Sequence, residues 1–242
     1  MIYLDDLIIY GRSFSEMLDR LTMVLSKLRK AGLKLKASKC QFGEKELRYL
    51  GHIISSKGIA VDSRKIDSIV KFRIPTNQTE IRSFVNLCGY YRRFVRNFAK
   101  ITAPMNELLK KDVKFEWTPK QQDAFDKLKL DLVTPPILAF PTNEAKTVIH
   151  TDACGYGLGA VLCQIQDGRE RVVAYASRSL NQAEKNYSTT EQECLAIVFE
   201  VCKFRPYLWG RKFSVITDHH ALKWLFSIKD PNGRLARWSL QL

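Results

Sequence analysis

The sequence predicts a multidomain protein that combines α/β and α+β architecture. The chain has 242 residues, which exceeds the usual size of a single domain. Residues 62–132 carry helical patterns with capping signals, whereas from about residue 146 the pattern becomes β, β, β, α, β, α. Such an alternation is typical of a mixed sheet with helices packed on it. We therefore expect three domains, over residues 1–61, 62–145 and 146–242.

The first element is an apolar, strand-forming run, MIYLDDLIIY, which ends at Gly11. Two adjacent acids, Asp5 and Asp6, lie inside it. Carboxylates within an apolar run need a partner, because an unpaired buried charge is costly. The run itself leaves open what partners Asp5 and Asp6.

A helix and a strand hairpin follow this run. Ser13 and Glu16 have the spacing of a capping box, and Gly32 stands where a glycine that ends a helix belongs. The LKLK segment (33–36) alternates like an edge strand, and residues 49–61 predict two strands joined in a hairpin. These elements are too few for an independent α/β domain.

The middle of the chain switches to helices. Asp62 precedes a short helix that stops at Pro75. Asn77 and Glu80 begin a longer helix, whose apolar stripe continues to Phe98. This stripe predicts a face that packs into a core.

Two further helices are predicted before the C-terminal part. Thr102-Ala-Pro104 opens a short helix that ends in LLKK. Thr118 and Gln121 form a capping box with Pro119 at the first helical position, and Pro135-Pro136 terminate that helix.

Basic side chains surround the long middle helix. They are Arg82, Arg92, Arg93, Arg96 and Lys100. Five cations around one helix favour contact with a phosphate backbone over plain solubility. The formal net charge of +14 also favours contact with nucleic acid, because such an excess of positive charge is typical of proteins that bind a polyanion. A solvated basic surface is the alternative interpretation.

The composition excludes other classes of protein. Six cysteines without a C-x-x-C pair, together with four histidines, indicate reduced intracellular thiols instead of a zinc framework or a disulfide scaffold. No apolar run approaches the ~20 residues of a membrane span, and the first residues lack a secretory signal.

Three carboxylates in the last third are candidate metal ligands. Asp152 follows the strand TVIHT and Asp218 follows FSVIT, so both lie at carboxyl ends of strands, where open α/β sheets place their sites. Each aspartate alone could simply cap the next turn. Glu193 lies on the face of helix 188–208 that packs against the sheet, where an unpaired charge is costly. The nearby Glu191 has capping-box spacing with Ser188 instead.

Asp152, Glu193 and Asp218 together suit Mg²⁺ or Mn²⁺, which prefer oxygen ligands. Two such ions roughly 3.5–4 Å apart stabilise the attacking and leaving oxygens in phosphodiester hydrolysis. A metal ion also removes the cost of burying Glu193.

The segments that carry these acids resemble a known family. HTDACGYGLGAVLCQ, VAYASRSL and NYSTTEQECLAIVFEVCKFRPYLWGRKFSVITDHHAL resemble the ribonuclease H domain of gypsy-type LTR retrotransposon Pol polyproteins. Upstream, YLDDLIIY is similar to the polymerase metal-binding hairpin of their reverse transcriptases, and YLGHIISSKGI to the primer grip. RSFVNLCGYYRRFVRNFAKITAPMNELLKKD resembles the thumb helices, although FVNLCGYY departs from the usual Phe-Leu-Gly-Leu start.

The resemblance implies a domain assignment. Residues 1–61 correspond to the C-terminal part of a reverse-transcriptase palm with a primer-grip-like hairpin. Residues 62–145 correspond to a helical thumb and connection, and residues 146–242 to a C-terminally truncated ribonuclease H-like domain.

The resemblance also implies roles for individual residues. Asp5 and Asp6 become polymerase metal ligands within a Tyr-x-Asp-Asp motif, and Tyr3 packs near the primer terminus. Asp152, Glu193 and Asp218 match three ribonuclease H metal ligands, with His219 beside the last. Each site is expected to use two Mg²⁺ or Mn²⁺ ions. The fourth acid of the family is expected beyond Leu242.

The implied partners are nucleic acids and flanking Pol segments. The parent enzyme copies RNA into DNA and degrades the RNA of the hybrid, so it engages a primer–template duplex and an RNA/DNA hybrid. The flanking segments comprise the fingers and first palm strand, the ribonuclease H C-terminus and integrase. No membrane partner is implied, and the implied location is intracellular, in cytoplasmic virus-like particles and the nucleus.

The expected activity of the 242-residue chain is narrower than that of the parent enzyme. We expect nucleic-acid binding, no polymerase activity, and weak or absent hybrid hydrolysis. The alternative is a non-enzymatic nucleic-acid-binding remnant of a retroelement, although all five candidate acids are in place. An unrelated metal phosphatase fits poorly, because no P-loop or Asp-x-Asp nucleophile is present.

Overall fold

The computed structural model describes residues 2–3, 5–218 and 238. The chain divides into two compact units, residues 1–44 and 45–242. Within the described ranges, no helix combines the length and the apolar character that crossing a bilayer requires. The bounds of the three domains proposed from the sequence stay a prediction.

The first unit contains a small hairpin and one helix. Strands β1 (Ile2–Tyr3) and β2 (Asp6–Leu7) pair antiparallel, so the apolar opening run is split by a turn instead of forming one strand. Asp5 lies in that turn, where a residue disfavoured in strands is tolerated. Helix α1 (Phe14–Lys30) begins at Ser13, whose hydroxyl accepts the Glu16 N–H as predicted.

The predicted edge strand at residues 33–36 was wrong. These residues form no strand, and a 3₁₀ turn, Ala37–Lys39, follows them. Leu33 and Leu35 are exposed, so no sheet face buries the alternating leucines. Four alternating residues specify a strand only where a neighbour pairs with them and one face is covered.

The second unit opens with a three-stranded antiparallel sheet. Its strands are β3 (Glu46–Tyr49), β4 (His52–Ser55) and β5 (Gly58–Val61). The predicted hairpin is therefore confirmed as β4–β5, and β3 extends it. Ile59 of β5 exchanges two backbone hydrogen bonds with Leu138, at 2.8 and 2.9 Å.

Four helices follow the small sheet and build one core. They are α2 (Ser63–Val70), α3 (Gln78–Gly89), α4 (Phe98–Glu107) and α5 (Pro119–Val133). The side chains of Asp62 and Asn77 accept N–H bonds at the starts of α2 and α3, and Thr118 forms the predicted capping box. The largest fully buried side chains of this core include Phe84, Phe94 and Phe125.

The single helix predicted from Asn77 to Phe98 was wrong. Helix α3 ends at Gly89, and a 3₁₀ turn, Arg92–Phe94, precedes α4. Tertiary contacts explain the break. The hydroxyls of Tyr90 and Tyr91 donate to the carbonyls of Leu50 and Gly51 at 2.7 and 3.1 Å, and Phe94 is buried.

The short helix predicted to open at Thr102-Ala-Pro104 was also wrong, because Pro104 lies inside α4. Proline there cannot donate an intrahelical hydrogen bond. Phe98 and Met105 of the same helix are nevertheless buried in the helical core. Packing of α4 therefore outweighs the missing bond.

The C-terminal part forms the predicted mixed sheet. Strands β6 (Thr147–Cys154), β7 (Gly157–Gln166), β8 (Arg169–Ser179) and β9 (Phe213–Ile216) lie in the order β8-β7-β6-β9. Only the β6–β9 pair among them is parallel. Helix α6 (Thr189–Leu208) precedes β9. The final helix predicted after β9 lies outside the described residues.

The mixed sheet packs helices on both faces. Val172 and Tyr175 of β8 contact the helical core, whereas Ala174 and Ala176 pack with Phe204 of α6. A bulge between Leu162 and Cys163 in the β7–β8 register shifts the alternation there. The strand that carries Asp152 therefore lies in a sheet held between α4 and α6.

Candidate active site

Asp152 lies near the carboxyl end of β6, the strand between β7 and β9. It stands directly opposite Gly159 of β7, and its side chain is exposed. The Asn97 Nδ2 lies 3.5 Å from one of its carboxylate oxygens. Asp152 lies inside β6, so the prediction that it follows its strand was wrong. Parallel pairing of β6 with β9 brings Asp152 and Asp218 to the same edge of the sheet.

Glu193 is placed by the first turns of α6. Ser188 caps this helix, and the Glu191 carboxylate accepts the backbone N–H and hydroxyl of Ser188 at 2.9 and 3.0 Å. With Glu191 held in the capping box, Glu193 points into the protein and is only 6% exposed. The helical register therefore places Glu191 in the N-terminal cap and Glu193 on the buried face of α6.

Electrostatic coupling joins the three predicted acids. Burial raises the pKa of Glu193 to about 7, and the charges of Asp218 and Asp152 add to this, against a stabilising N–H from Ala153. The charges of Asp152 and Asp218 therefore act on Glu193, and we refer to these three acids as the carboxylate cluster. Asp152 and Asp218 are exposed, which leaves the cluster open to solvent on that side.

A fourth acid, Glu200, was missed from the sequence. It is fully buried, and neither carboxylate oxygen has a hydrogen-bond partner among the described residues. Burial, with the charges of Glu193 and Asp152, raises its pKa to about 10. Its position seven residues after Glu193 on a helix could have suggested a shared face.

The structure also brings Lys100 to this cluster. A hydrogen bond with the Tyr156 hydroxyl raises the pKa of Lys100, and the charges of Tyr156, Cys154 and Asp152 add to that effect. The Lys100 ammonium lies 5.7 Å from the centre of the Tyr156 ring. One of the predicted nucleic-acid-binding cations therefore interacts electrostatically with Asp152.

The other predicted cations do not surround one helix, so that prediction was wrong. Arg82 lies on α3, Arg92 and Arg93 lie in the 3₁₀ turn, and Arg96 lies in the loop before α4. Because the helix is broken at residues 90–97, these arginines lie on separate elements. Arg82, Arg92 and Arg96 are exposed, whereas Arg93 is half-buried.

Two of these arginines have structural contacts. Arg92 donates to the Ser177 carbonyl, and its guanidinium lies 5.6 Å from the centre of the Phe98 ring. Arg93 lies 5.9 Å from the centre of the Phe94 ring, and its Nε has no partner in the part of the chain that the structure describes. Arg96 and Lys100 instead line a groove of about 450 Å³ beside α4 and α5.

The N-terminal acids occupy the hairpin of the first unit. Asp6 pairs with Tyr3 across β1 and β2, and Asp5 lies in the turn between them. Both carboxylates are exposed. The Tyr3 side chain and all of His219 lie outside the described residues. The proposed roles of these four residues stay predictions.

The donor chemistry of the carboxylate cluster suits a divalent cation, although its ligand atoms do not all lie within 4.8 Å of one another. Among the described residues, the group that meets this distance is His150, Cys163 and Glu170. Asp152, Glu193 and Asp218 offer only oxygen donors, the set that Mg²⁺ and Mn²⁺ prefer. The buried Glu193 Oε2 has no hydrogen-bond partner among the described residues. A bound cation would satisfy that oxygen and offset the mutual repulsion of the three acids.

Two family models match the chain. Residues 142–242 match the RNase H-like domain found in reverse transcriptase, and residues 1–54 match reverse transcriptase (RNA-dependent DNA polymerase). The first match contains the carboxylate cluster, and the second contains Asp5 and Asp6. Both families generally use divalent metals.

Curated relatives cover the whole chain. The retrovirus-related Pol polyproteins from transposons 297 and 412 of Drosophila melanogaster are each 44% identical over 100% of this chain. The transposon Tf2-3 polyprotein of Schizosaccharomyces pombe is 36% identical over 99% of it. The chain spans only 23%, 20% and 18% of these relatives, respectively.

Solved structures support the predicted fold class. Foamy viral protease-reverse transcriptase in complex with dsDNA aligns with a TM-score of 0.78 at 21% identity, over 96% of this chain and 49% of that chain. The same viral protein in complex with an RNA/DNA hybrid gives 0.77 at 22% identity, over 96% of this chain and 32% of that chain. At such low identity these likenesses concern the fold alone, and the mixed α/β fold is confirmed.

Proposed function

We propose that this chain, which belongs to the Pol polyprotein family of gypsy-type LTR retrotransposons, provides a divalent-metal site that hydrolyses the RNA strand of RNA/DNA hybrids. Its family membership, first indicated by the sequence motifs, is confirmed by the two family matches and the relatives that are 44% identical. Reverse transcription and ribonuclease H activity are proposed for the whole polyprotein, of which this chain corresponds to a part.

The burial and the raised pKa of Glu193 are the main support for this function. Glu193 is buried on the sheet-facing side of α6, and its pKa is raised to about 7 by burial and by the charges of Asp218 and Asp152. A purely structural glutamate gains nothing from this position, because burial and like charges both oppose its ionised form. Perturbed carboxyl groups that converge at a sheet edge are typical of a catalytic site.

The acids and Lys100 would have different roles in the proposed reaction. Asp152, Glu193 and Asp218 would hold two Mg²⁺ or Mn²⁺ ions, which would supply activation of the attacking water and neutralisation of the phosphate charge. Asp152 and Asp218 are exposed, so a phosphodiester can approach the cluster from their side. Lys100, which interacts electrostatically with Asp152, would neutralise a neighbouring phosphate of the substrate.

The proposed substrate is an RNA/DNA hybrid held by its backbone. Among the five predicted cations, Arg82, Arg96 and Lys100 are exposed, and no contact with a described residue prevents them from binding phosphates. Phosphate contacts position a duplex without reading its sequence. The foamy viral protein with the same fold was solved with dsDNA and with a hybrid. In the whole polyprotein, Asp5 and Asp6 would serve the polymerase metal site with Tyr3 near the primer terminus.

Metal binding and hybrid cleavage test this proposal. We expect Mn²⁺ to bind the 242-residue chain, and Asp152→Asn to remove that binding. The control is Asp167→Asn, since Asp167 is an exposed turn residue with φ +51°, a conformation that asparagine tolerates.

Cleavage of a labelled hybrid is then measured for the Pol polyprotein that contains this chain. Cleavage lost in Asp152→Asn and retained in Asp167→Asn supports the proposal. Cleavage that Asp152→Asn leaves intact would contradict it. Salt-sensitive hybrid binding without any cleavage would favour the non-enzymatic alternative.

A further inference from the structure

We infer that Asn97 is a positioning residue for Asp152, so that the hydrolytic site depends on the helical segment as well as on the ribonuclease H-like segment. The inference rests on the function proposed above for Asp152. Asn97 lies outside the 142–242 match, in the loop that precedes α4. Four observations on the geometry of this loop support the inference.

The loop crosses three strands at one level of the sheet. Asp152 of β6, Gly159 of β7 and Ser177 of β8 stand directly opposite one another, so they share one face. Ala99 donates its backbone N–H to the Ser177 hydroxyl at 2.9 Å. Two residues earlier, the Asn97 Nδ2 lies 3.5 Å from the Asp152 Oδ2.

The loop is held in place at its β8 end. Ser177 is only 2% exposed, and its hydroxyl accepts the Ala99 N–H. Its carbonyl accepts a hydrogen bond from Arg92 in the preceding 3₁₀ turn. Because both bonds converge on one buried residue, the start of α4 is fixed against the sheet next to Asp152.

Asn97 adopts an unusual conformation for the residue that starts a helix. Its backbone is left-handed, with φ 54° and ψ 35°, and its side chain makes no capping hydrogen bond. An asparagine at this position ordinarily has extended backbone and uses its side chain to cap the helix. Here the backbone conformation directs the amide towards Asp152 instead. Asparagine is among the few residues other than glycine that tolerate this conformation.

Gly159 provides the space that the Asn97 side chain occupies. A Cβ atom at position 159 would lie 2.3 Å from the Asn97 Oδ1. Any side chain at that position would therefore displace the Asn97 amide. Asn97 thus supplies the hydrogen-bond donor, and Gly159 leaves the space that this donor occupies.

The Asn97 amide would restrict the orientation of the Asp152 carboxylate. An exposed aspartate on a strand can adopt several side-chain rotamers, and an amide donor on one oxygen favours one of them. Groups that orient a metal ligand in this way strengthen metal binding without contacting the ion. Asn97 would thus prepare Asp152 for the cation.

The test is a Mn²⁺ titration of the full chain carrying Asn97→Gly. Glycine accepts the left-handed backbone, so the variant removes the amide and keeps the loop conformation. We expect Mn²⁺ affinity to fall about tenfold. Asp112→Gly is the matched control, because Asp112 is exposed and also left-handed, with φ 63°. Circular dichroism verifies that each variant is folded.

A double-mutant cycle separates this role from a general structural one. Gly159→Ala should weaken Mn²⁺ binding about as much as Asn97→Gly, because its methyl group displaces the same amide. In the double variant the methyl group has room, so the two losses should not add. Additive losses would overturn the inference.

The remaining outcomes distinguish a failure of the positioning role of Asn97 from a failure of the proposed metal site. If Asp152→Asn abolishes Mn²⁺ binding and Asn97→Gly leaves it unchanged, the positioning role is wrong and the metal site stands. If Asp152→Asn has no effect, the proposed function fails and the inference fails with it.

Discussion

Glu200 lies two helical turns after Glu193 on α6, and both carboxyl groups are buried, at 0% and 6% exposure. Burial raises the pKa of Glu200 to about 10, and the charge of Glu193 adds to that shift. At neutral pH Glu200 is therefore an uncharged carboxylic acid. Neither of its oxygens has a hydrogen-bond partner in the described ranges.

Replacing Glu200 with leucine should stabilise the metal-free protein by about 1–3 kcal/mol at neutral pH, since it removes an unpaired buried polar group. The pKa of Glu200 is raised by folding, so its effect on stability becomes less favourable as pH rises from about 4.5 towards 10. Denaturant unfolding at about pH 5 and about pH 9 measures this. Glu200→Leu should reduce the loss of stability between them.

The control for that experiment is Glu107→Leu, because Glu107 is an exposed glutamate at the end of α4. It should leave both the stability and its pH dependence nearly unchanged. An unaltered pH dependence in Glu200→Leu would contradict the assignment of a neutral, buried acid.

Magnesium should stabilise the protein more in alkaline than in acidic solution. The pKa of Glu193 is raised to about 7, so the group is mostly protonated below that pH and mostly ionised above it. A cation binds the ionised carboxylate and only the folded protein presents the cluster. We expect Mg²⁺ to raise the thermal unfolding midpoint more at about pH 8.5 than at about pH 5.5.

Glu193→Gln should remove most of the Mg²⁺ effect at both pH values. Glu191→Gln is its matched control, because glutamine also completes the capping box with Ser188. A Mg²⁺ response that survives in Glu193→Gln would mean that the ion binds elsewhere.

Two neighbouring arginines should differ when each is replaced with alanine. Arg92 donates to the Ser177 carbonyl, so Arg92→Ala should lower the free energy of unfolding by about 1–2 kcal/mol. Arg96 is exposed in a groove shared with Lys100, so Arg96→Ala should leave stability unchanged. Arg96→Ala should instead weaken hybrid binding and reduce its salt slope by about 1.

Fluorescence anisotropy of a labelled hybrid across a salt series, together with denaturant unfolding, tests both arginine variants. Unchanged hybrid affinity in Arg96→Ala would remove Arg96 from the proposed nucleic-acid surface. Unchanged stability in Arg92→Ala would mean that its bond to Ser177 contributes nothing net.

Gly58 should be intolerant of alanine. Its φ is +134°, and a Cβ atom there would lie 2.2 Å from the Leu138 carbonyl oxygen. Gly58→Ala should therefore cost about 3 kcal/mol or more, because backbone strain and a clash with main chain combine. Gly168→Ala is the comparison, with φ +71° and open space around it, and should cost about 1 kcal/mol. Equal losses of unfolding free energy would contradict the close approach at Leu138.

Local signals in the sequence were reliable where their cause is local. The caps at Ser13, Asp62, Asn77, Thr118 and Ser188 all lie at the helix starts predicted for them. Capping joins residues only three apart, so neighbouring sequence is enough to specify it. The helical stripe after Asn77 was misleading because its apolar periodicity continues across a break that hydroxyl contacts with Leu50 and Gly51 impose.

The sequence by itself determined the strand order along the chain, the helix caps, the family motifs and the identity of the candidate acids. Only the tertiary structure decided which of these residues meet. It brought Asp152, Glu193 and Asp218 into one electrostatic cluster, buried Glu200 beside it, and placed Asn97 against Asp152. The physical reason is separation along the chain. Pairing of β6 with β9 and packing of α4 and α6 against the sheet depend on contacts between distant residues, which no local pattern encodes.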